Sequence, residues 1–239
     1  WPESPSYHYM TVGGLRYAFE SIRGYSDPSG YRDPVTGARF DNLDPERELP
    51  FWAKVQHAPE AIGFPNGWSN PVHDTHPYER RAKPRDRTVS TILPAFGHAS
   101  LGRGTGPNQL MAQLHFSGGY GHAHHDSLNL TLWAKEREML PDLGYTWTQM
   151  RTWTTSTLSH NTVVVNRRDQ RARDSDGDLL AFFTDAAGIG VVEADGRRAY
   201  AHIDGLDLYR RLLVTVPVSA TDAYVVDLFR VRGGTIHDW

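Results

Sequence analysis

From about residue 88 onward, short apolar runs recur, separated by Gly, Asp and Asn. They are Val89–Leu93, Leu110–Phe116, Ser127–Ala134, Thr162–Val165, Leu179–Thr184, Gly190–Glu193, Tyr209–Val216 and Ala223–Val231. Runs this short suit strands better than helices. The last alternates in part, with Val226, Leu228 and Arg230 against Val225, Asp227, Phe229 and Val231. That is the period of two expected of a strand. Many strands at this spacing predict an antiparallel sandwich or barrel. The chain shows no internal repeat.

The first third reads differently. Val12, Leu15, Phe19 and Ile22 form one apolar stripe, which predicts a helix over 7–23 despite Gly13 and Gly14. Residues 24–45 are rich in Gly, Pro, Asp and Ser and read as a loop. Asp44-Pro45-Glu46 places an N-cap before proline and predicts a second helix start, with Pro50 set to kink or delay it. Prolines at 59, 65, 71, 77 and 84 predict irregular structure and a domain boundary, dividing 1–87 from 88–239.

Composition narrows the function. A net charge of −3 with no long basic run argues against nucleic acid as the main partner. With no cysteine, disulfides and thiolate metal sites are excluded. No apolar run approaches the roughly 20 residues of a membrane span. No signal peptide opens the sequence, and Trp1-Pro2-Glu3 reads as the start of a processed or cut piece. The abrupt end after a strong strand gives the same expectation of truncation at the C-terminus.

Chemistry concentrates in residues 118–133. Leu128, Leu130 and Leu132 alternate with Ser127, Asn129 and Thr131, and a Gly-rich entry carries His122 and His124. If the strand extends back through that entry, both imidazoles share a face. Asp142 and His160 follow at the ends of later strands. Imidazoles and a carboxylate in a cysteine-free chain suit zinc or another divalent cation. Twelve histidines also produce a His-x-His by chance on a solvated edge, so the spacing leaves both readings open. A cupin-like catalytic metal site using Glu136 is a further alternative, although Glu136 lies in the charged turn Lys135–Glu138.

Three ordered motifs sharpen this: Gly121-His122-Ala123-His124-His125-Asp126-Ser127-Leu128, then Leu140-Pro141-Asp142-Leu143-Gly144, then Ser156-Thr157-Leu158-Ser159-His160-Asn161-Thr162-Val163 with Gln170. Together with Asp227–Gly234 and the amino-terminal Trp1-Pro2-Glu3-Ser4-Pro5-Ser6-Tyr7-His8-Tyr9, they resemble the C-terminal half of the heparinase II/III-like polysaccharide lyases. The resemblance implies an antiparallel β-sandwich over 88–239, preceded by the end of an (α/α) toroid. It implies β-elimination of a uronic-acid polysaccharide or oligosaccharide and a secreted or periplasmic location. A homodimer is left open. By motif, His124, Asp142 and His160 would hold a structural zinc ion. His122 would be the catalytic histidine and Tyr7 the catalytic tyrosine, with Tyr9 as the alternative. The family's Asn–His pair on an earlier toroid helix has no counterpart in this sequence. A zinc-stabilised glycan-binding or assembly domain without turnover is the competing expectation.

Other residues carry weaker readings. Arg151 and Trp153, with Trp147, suit a sugar-binding surface, because aromatic faces stack on pyranose rings and Arg grips carboxylates in a bidentate way. His125 reads as structural and Asp126 as a residue that orients a histidine. Asn161 and Gln170 read as backbone-bonding. The cluster Arg167, Arg168, Arg171 and Arg173 reads as a solvated loop.

Overall fold

The computed structural model describes residues 3–118 and 120–239. It divides into two compact units. The smaller is Tyr7–Ala58; the larger joins the residues before Tyr7 to Pro59–Trp239.

In the smaller unit, α1 (Pro5–Ile22) runs through Gly13 and Gly14 without a break. Phe19 packs edge-on against Trp52, their ring centroids 4.5 Å apart. Leu15 and Ile22, expected on the buried stripe, are exposed. Asp44 caps α2 (Pro45–Glu48) by accepting from the Glu46 N–H. Pro50 separates α2 from α3 (Trp52–His57), since proline removes a backbone donor and ends a helix.

In the larger unit, β1 (Thr91–Leu93), β2 (His98–Arg103), β3 (Leu110–His115), β4 (Asn129–Ala134) and β5 (Arg137–Leu140) form a five-stranded antiparallel sheet in chain order. A two-stranded piece pairs β6 (Val164–Val165) with a strand at His237–Asp238. The strands β7 (Asp178–Thr184), β8 (Gly190–Asp195), β9 (Leu208–Pro217) and β10 (Ala223–Arg232) form a four-stranded antiparallel sheet. One core joins the two sheets: Ala99, Leu101, Ala112, Leu114 and Leu130 from the first meet Val192, Ala194, Tyr209 and Leu213 from the second. This is the antiparallel β-sandwich expected.

Two strands escaped the apolar pattern. The Gly-bearing β2 carries few large apolar residues. The charged β5 was read as a turn, yet the turn is confined to Lys135 and Glu136, both with positive φ. That pair makes the tight hairpin connection between β4 and β5.

The proline-rich stretch is irregular, but the unit division falls before Pro59, not at residue 88. The stretch lies on the outer face of the five-stranded sheet. Phe64 stacks on Trp133 beside Met111, and the Asn70 amide donates to Thr131 Oγ1 at 3.2 Å. All six residues of β3 are therefore buried, alternate ones against the sandwich core and against this cover.

Arg211 on β9 is fully buried. Its Nε and Nη2 donate to the two Asp227 oxygens at 2.9 and 2.7 Å. Its Nη1 donates to the Leu128 carbonyl at 2.7 Å and also to that of Asn161. One guanidinium thus pins the loop that enters β4 and the loop that enters β6.

At the end of β8, Asp195 accepts from the Arg197 N–H and from the Arg197 and Arg210 side chains. Burial pushes its carboxyl up, but these bonds outweigh burial and hold it below the ordinary 3.8. A carboxyl depressed in the folded state stabilises the fold fully above its unfolded value and loses that contribution as pH falls through the folded one. The Asp195→Asn variant is therefore expected to show a shallower loss of stability than the parent below about pH 3.8. Denaturant midpoints measured across that range test this; parallel curves would contradict it.

Candidate functional site

The histidine-rich entry to β4 is not a strand. The strand begins at Asn129, and Leu128 takes a left-handed φ of 63° that breaks extended geometry before it. His122 and His124 consequently do not share a strand face. His124 is buried and His122 half-buried.

Three buried side chains converge beside the loop. His124 Nδ1 lies 3.4 Å from His160 Nε2, which lies 3.7 Å from Asp142 Oδ1. The other nitrogen of each ring is already committed. His124 Nε2 donates to Asp74 Oδ1 at 2.9 Å, and His160 Nδ1 donates to the Ser156 carbonyl at 2.8 Å. Two imidazole lone pairs and a carboxylate oxygen therefore face one point. A tetrahedral ion bound at about 2.0–2.1 Å would space its ligand atoms by about 3.3 Å, close to these separations. The donor set fits a divalent cation of the zinc kind, and its supporting bonds are the carboxylate and carbonyl partners that commonly fix metal-binding histidines.

Local structure explains the convergence. The strand β4, its two-residue turn and β5 carry the chain out and back, so Asp142 returns near the start of β4. Asn129 there donates to Asp142 Oδ2 at 2.6 Å, and its own Oδ1 accepts from the Asn161 N–H at 2.9 Å. Gly144 has φ +58°, and a Cβ on it would stand 2.3 Å from the Thr75 carbonyl oxygen. Only glycine admits that approach, which brings the Asp142 loop against residues 71–75.

Asp74 connects the surroundings. It accepts from His124 and, bidentately, from Arg151 Nη1 and Nη2, both at 2.8 Å. Burial pushes its carboxyl up; the bonds from His124 and Arg151 prevail and keep it low. The Asp74 N–H donates to the His122 carbonyl, and its own carbonyl accepts from Ser4 Oγ. Glu3 Oε2 lies 3.1 Å from His122 Nδ1. With Glu3 as the acceptor, His122 carries a proton on Nδ1. Tyr120 stands nearby, bonded to Ser117; burial pushes its hydroxyl up and keeps it neutral.

Arg151 sits over the Tyr145 and Trp147 rings as well as clamping Asp74. Trp153 is exposed in a cleft of about 740 Å³ lined also by Leu158, Arg167, Arg168 and Asp238. Tyr7 and Tyr9 are half-buried on α1 in the smaller unit. Glu136 is exposed at its hairpin turn and belongs to neither group of metal-ligand side chains among the described residues. His125 contacts the Gln170 carbonyl, Asn161 donates to the carbonyls of Leu130 and Pro141, and Gln170 bonds the Ser127 backbone. Glu3, His73 and Asp74 were not anticipated. Glu3 and Asp74 meet the site across 119 and 50 positions of sequence, and local spacing carries no trace of that.

An antiparallel sandwich thus presents a half-buried histidine beside a buried His–Asp–His group. The family model for the heparinase II/III-like C-terminal domain matches residues 106–235, and the chain belongs to that family. No curated protein sequence matches it significantly. Among solved structures, heparan sulfate lyase HepC from Pedobacter heparinus superposes with a TM-score of 0.67 at 16% identity, covering 96% of this chain and 38% of that one. The BT4657 heparinase III product with methylated lysines gives 0.65 at 15% identity, covering 88% and 35%. A further heparinase III gives 0.57 at 17%, covering 72% and 33%. The chain thus spans little more than a third of the length of these proteins. Among the described residues, no helix is long and apolar enough to cross a membrane.

Proposed function

We propose that this chain carries part of the active site of a polysaccharide lyase that cleaves uronic-acid polymers by β-elimination, and that His124, Asp142 and His160 hold a structural zinc ion. The observation that carries the reading is His122, presented beside that ligand group with Glu3 on its Nδ1. In the reaction a base removes the proton α to the uronate carboxyl group. The electron pair forms the ring double bond, and the bond to the glycosidic oxygen breaks. An acid then protonates that oxygen. His122 Nε2 is the base, and Glu3 stabilises the imidazolium that forms. Tyr7 is the acid assigned by motif, and serves as base for the opposite sugar epimer. The zinc ion would supply a fixed positive charge that holds the loop floor in place. By the sequence reading Trp153 would stack on the sugar, and Arg151, whose terminal nitrogens hold Asp74, would lend positive charge rather than a bidentate grip.

The substrate is an acidic polysaccharide or oligosaccharide, and heparan sulfate is the first polymer to try because HepC acts on it by name. Membership of the family supports a secreted or periplasmic location. Ultraviolet absorbance of unsaturated uronate, followed over a panel of uronate polymers, tests the activity. The His122→Ala and Tyr7→Phe variants are each expected to lose about 10²–10⁴-fold in rate while keeping the parent's thermal midpoint. Full activity in either variant would remove that residue from the mechanism. No product from the parent, with zinc bound, would favour a glycan-binding or assembly domain.

A further inference from the structure

A second group of buried side chains lies behind the first. His73, in a left-handed turn of the proline-rich segment, points its Nε2 at His115 Nε2, 2.9 Å away on β3. His115 Nδ1 lies 3.2 Å from His98 Nδ1, and His98 Nε2 donates to Gln113 Oε1 at 2.7 Å. His73 Nδ1 accepts the His124 N–H at 3.1 Å. Proton placement follows from the two ends of this row. Gln113 takes the His98 Nε2 proton, so His115 donates through Nδ1 and accepts through Nε2, and His73 donates through Nε2. Every ring nitrogen in the row thereby has a partner.

Asp126 is not satisfied. It is fully buried, and neither carboxylate oxygen has a hydrogen-bond donor among the described residues. Its Oδ1 lies 3.3 Å from His73 Nδ1, whose lone pair is already engaged by His124. A buried carboxylate without a hydrogen-bond donor is costly, so such groups are paired or bind metal, and in the metal-free chain the His73 ring is the nearest partner of Asp126.

We infer that His73, His115 and Asp126 form a second divalent-cation site, of the zinc kind, distinct from the His124–Asp142–His160 group. One ligand atom from each of the three lies within 4.8 Å of the others, and all three residues are buried. A nitrogen-rich set with one carboxylate suits zinc. His73, His115 and Asp126 would hold the ion, which would replace the proton shared by the two imidazoles. His73 would then carry its proton on Nδ1, on the side of Asp126, and give up the His124 N–H contact. Ser117 Oγ, 3.4 Å from His73 Nε2, or a water completes the sphere. The site ties the proline-rich cover to the central strand, and it does not depend on lyase activity.

Zinc content tests it. The metal-free full chain is saturated with zinc, freed of excess and measured by plasma mass spectrometry. Two ions per chain are expected in the parent and one in each of His115→Gln and Asp142→Asn. A parent with a single ion that Asp142→Asn abolishes and His115→Gln retains would overturn the second site, leaving Asp126 balanced by a proton on His73. One ion lost only in His115→Gln would uphold this site and remove the first. A zinc-edge anomalous difference map of the parent gives the same answer without variants. Two peaks are expected, and a single peak at His124, Asp142 and His160 would refute the second site.

Discussion

Replacing Arg211 by methionine is expected to lower the unfolding free energy by about 3 kcal/mol, the low end of the range for breaking a buried ion pair from one side, because Asp227 is partly exposed. The methionine fills much of the space, so the loss comes from what the guanidinium leaves behind. Asp227 keeps its charge without a partner, and the carbonyls of Leu128 and Asn161 lose their donor. For a unit of this size the thermal midpoint should fall by roughly 10 °C. A second change, Asp227→Leu, removes the stranded charge and should restore part of the stability, because hydrophobic pairs often replace buried ion pairs at little cost. The two carbonyls stay unsatisfied, so recovery should be incomplete. Denaturant titration of the two variants against the parent measures both steps. A single variant as stable as the parent would mean that water reaches these groups.

Zinc added to the metal-free chain is expected to raise stability by about 4 kcal/mol for each site at which free metal stands a thousandfold above the dissociation constant. The thermal midpoint should rise by about 8–16 °C per site. The contribution of the first site is the part that disappears in Asp142→Asn, which swaps an anionic ligand for an amide. A structural ion costs stability first when removed, and lyase rate falls only as the fold is lost. A catalytic ion would cut the rate at an unchanged midpoint. The absence of any difference between parent and Asp142→Asn in zinc-dependent melting would sink the assignment of the first site.

Much of the sandwich was legible because half-buried strands write a period of two into the sequence. Seven of the eight apolar runs overlap strands of three residues or more, and Thr162–Val165 holds the two-residue β6. Strands without an alternating apolar pattern left no such mark; β2 is built as His-Ala-Ser-Leu-Gly-Arg, and β5 sets Arg137 and Glu138 before Met139 and Leu140. The convergence of His124, Asp142 and His160 was legible through the motifs, and the 18 residues from His124 to Asp142 span one hairpin. The surroundings were not. Asp74 lies in Pro71-Val72-His73-Asp74-Thr75-His76-Pro77, where prolines and charge suggest a solvated linker, yet residues 72–75 are buried. Arg211 stands beside Arg210 in an ordinary-looking strand, and alternation alone does not say which of the two faces inward.

The strand β3 is covered on both faces and paired along both edges. Its backbone amides therefore exchange with solvent only when the whole sandwich opens, and their exchange rate is a direct gauge of global stability. His115 sits at the end of that strand and shares its slow opening. His122, half-buried on the loop outside it, takes no part in that ladder. The fold separates a rigid floor from the histidine that would have to meet a passing polymer.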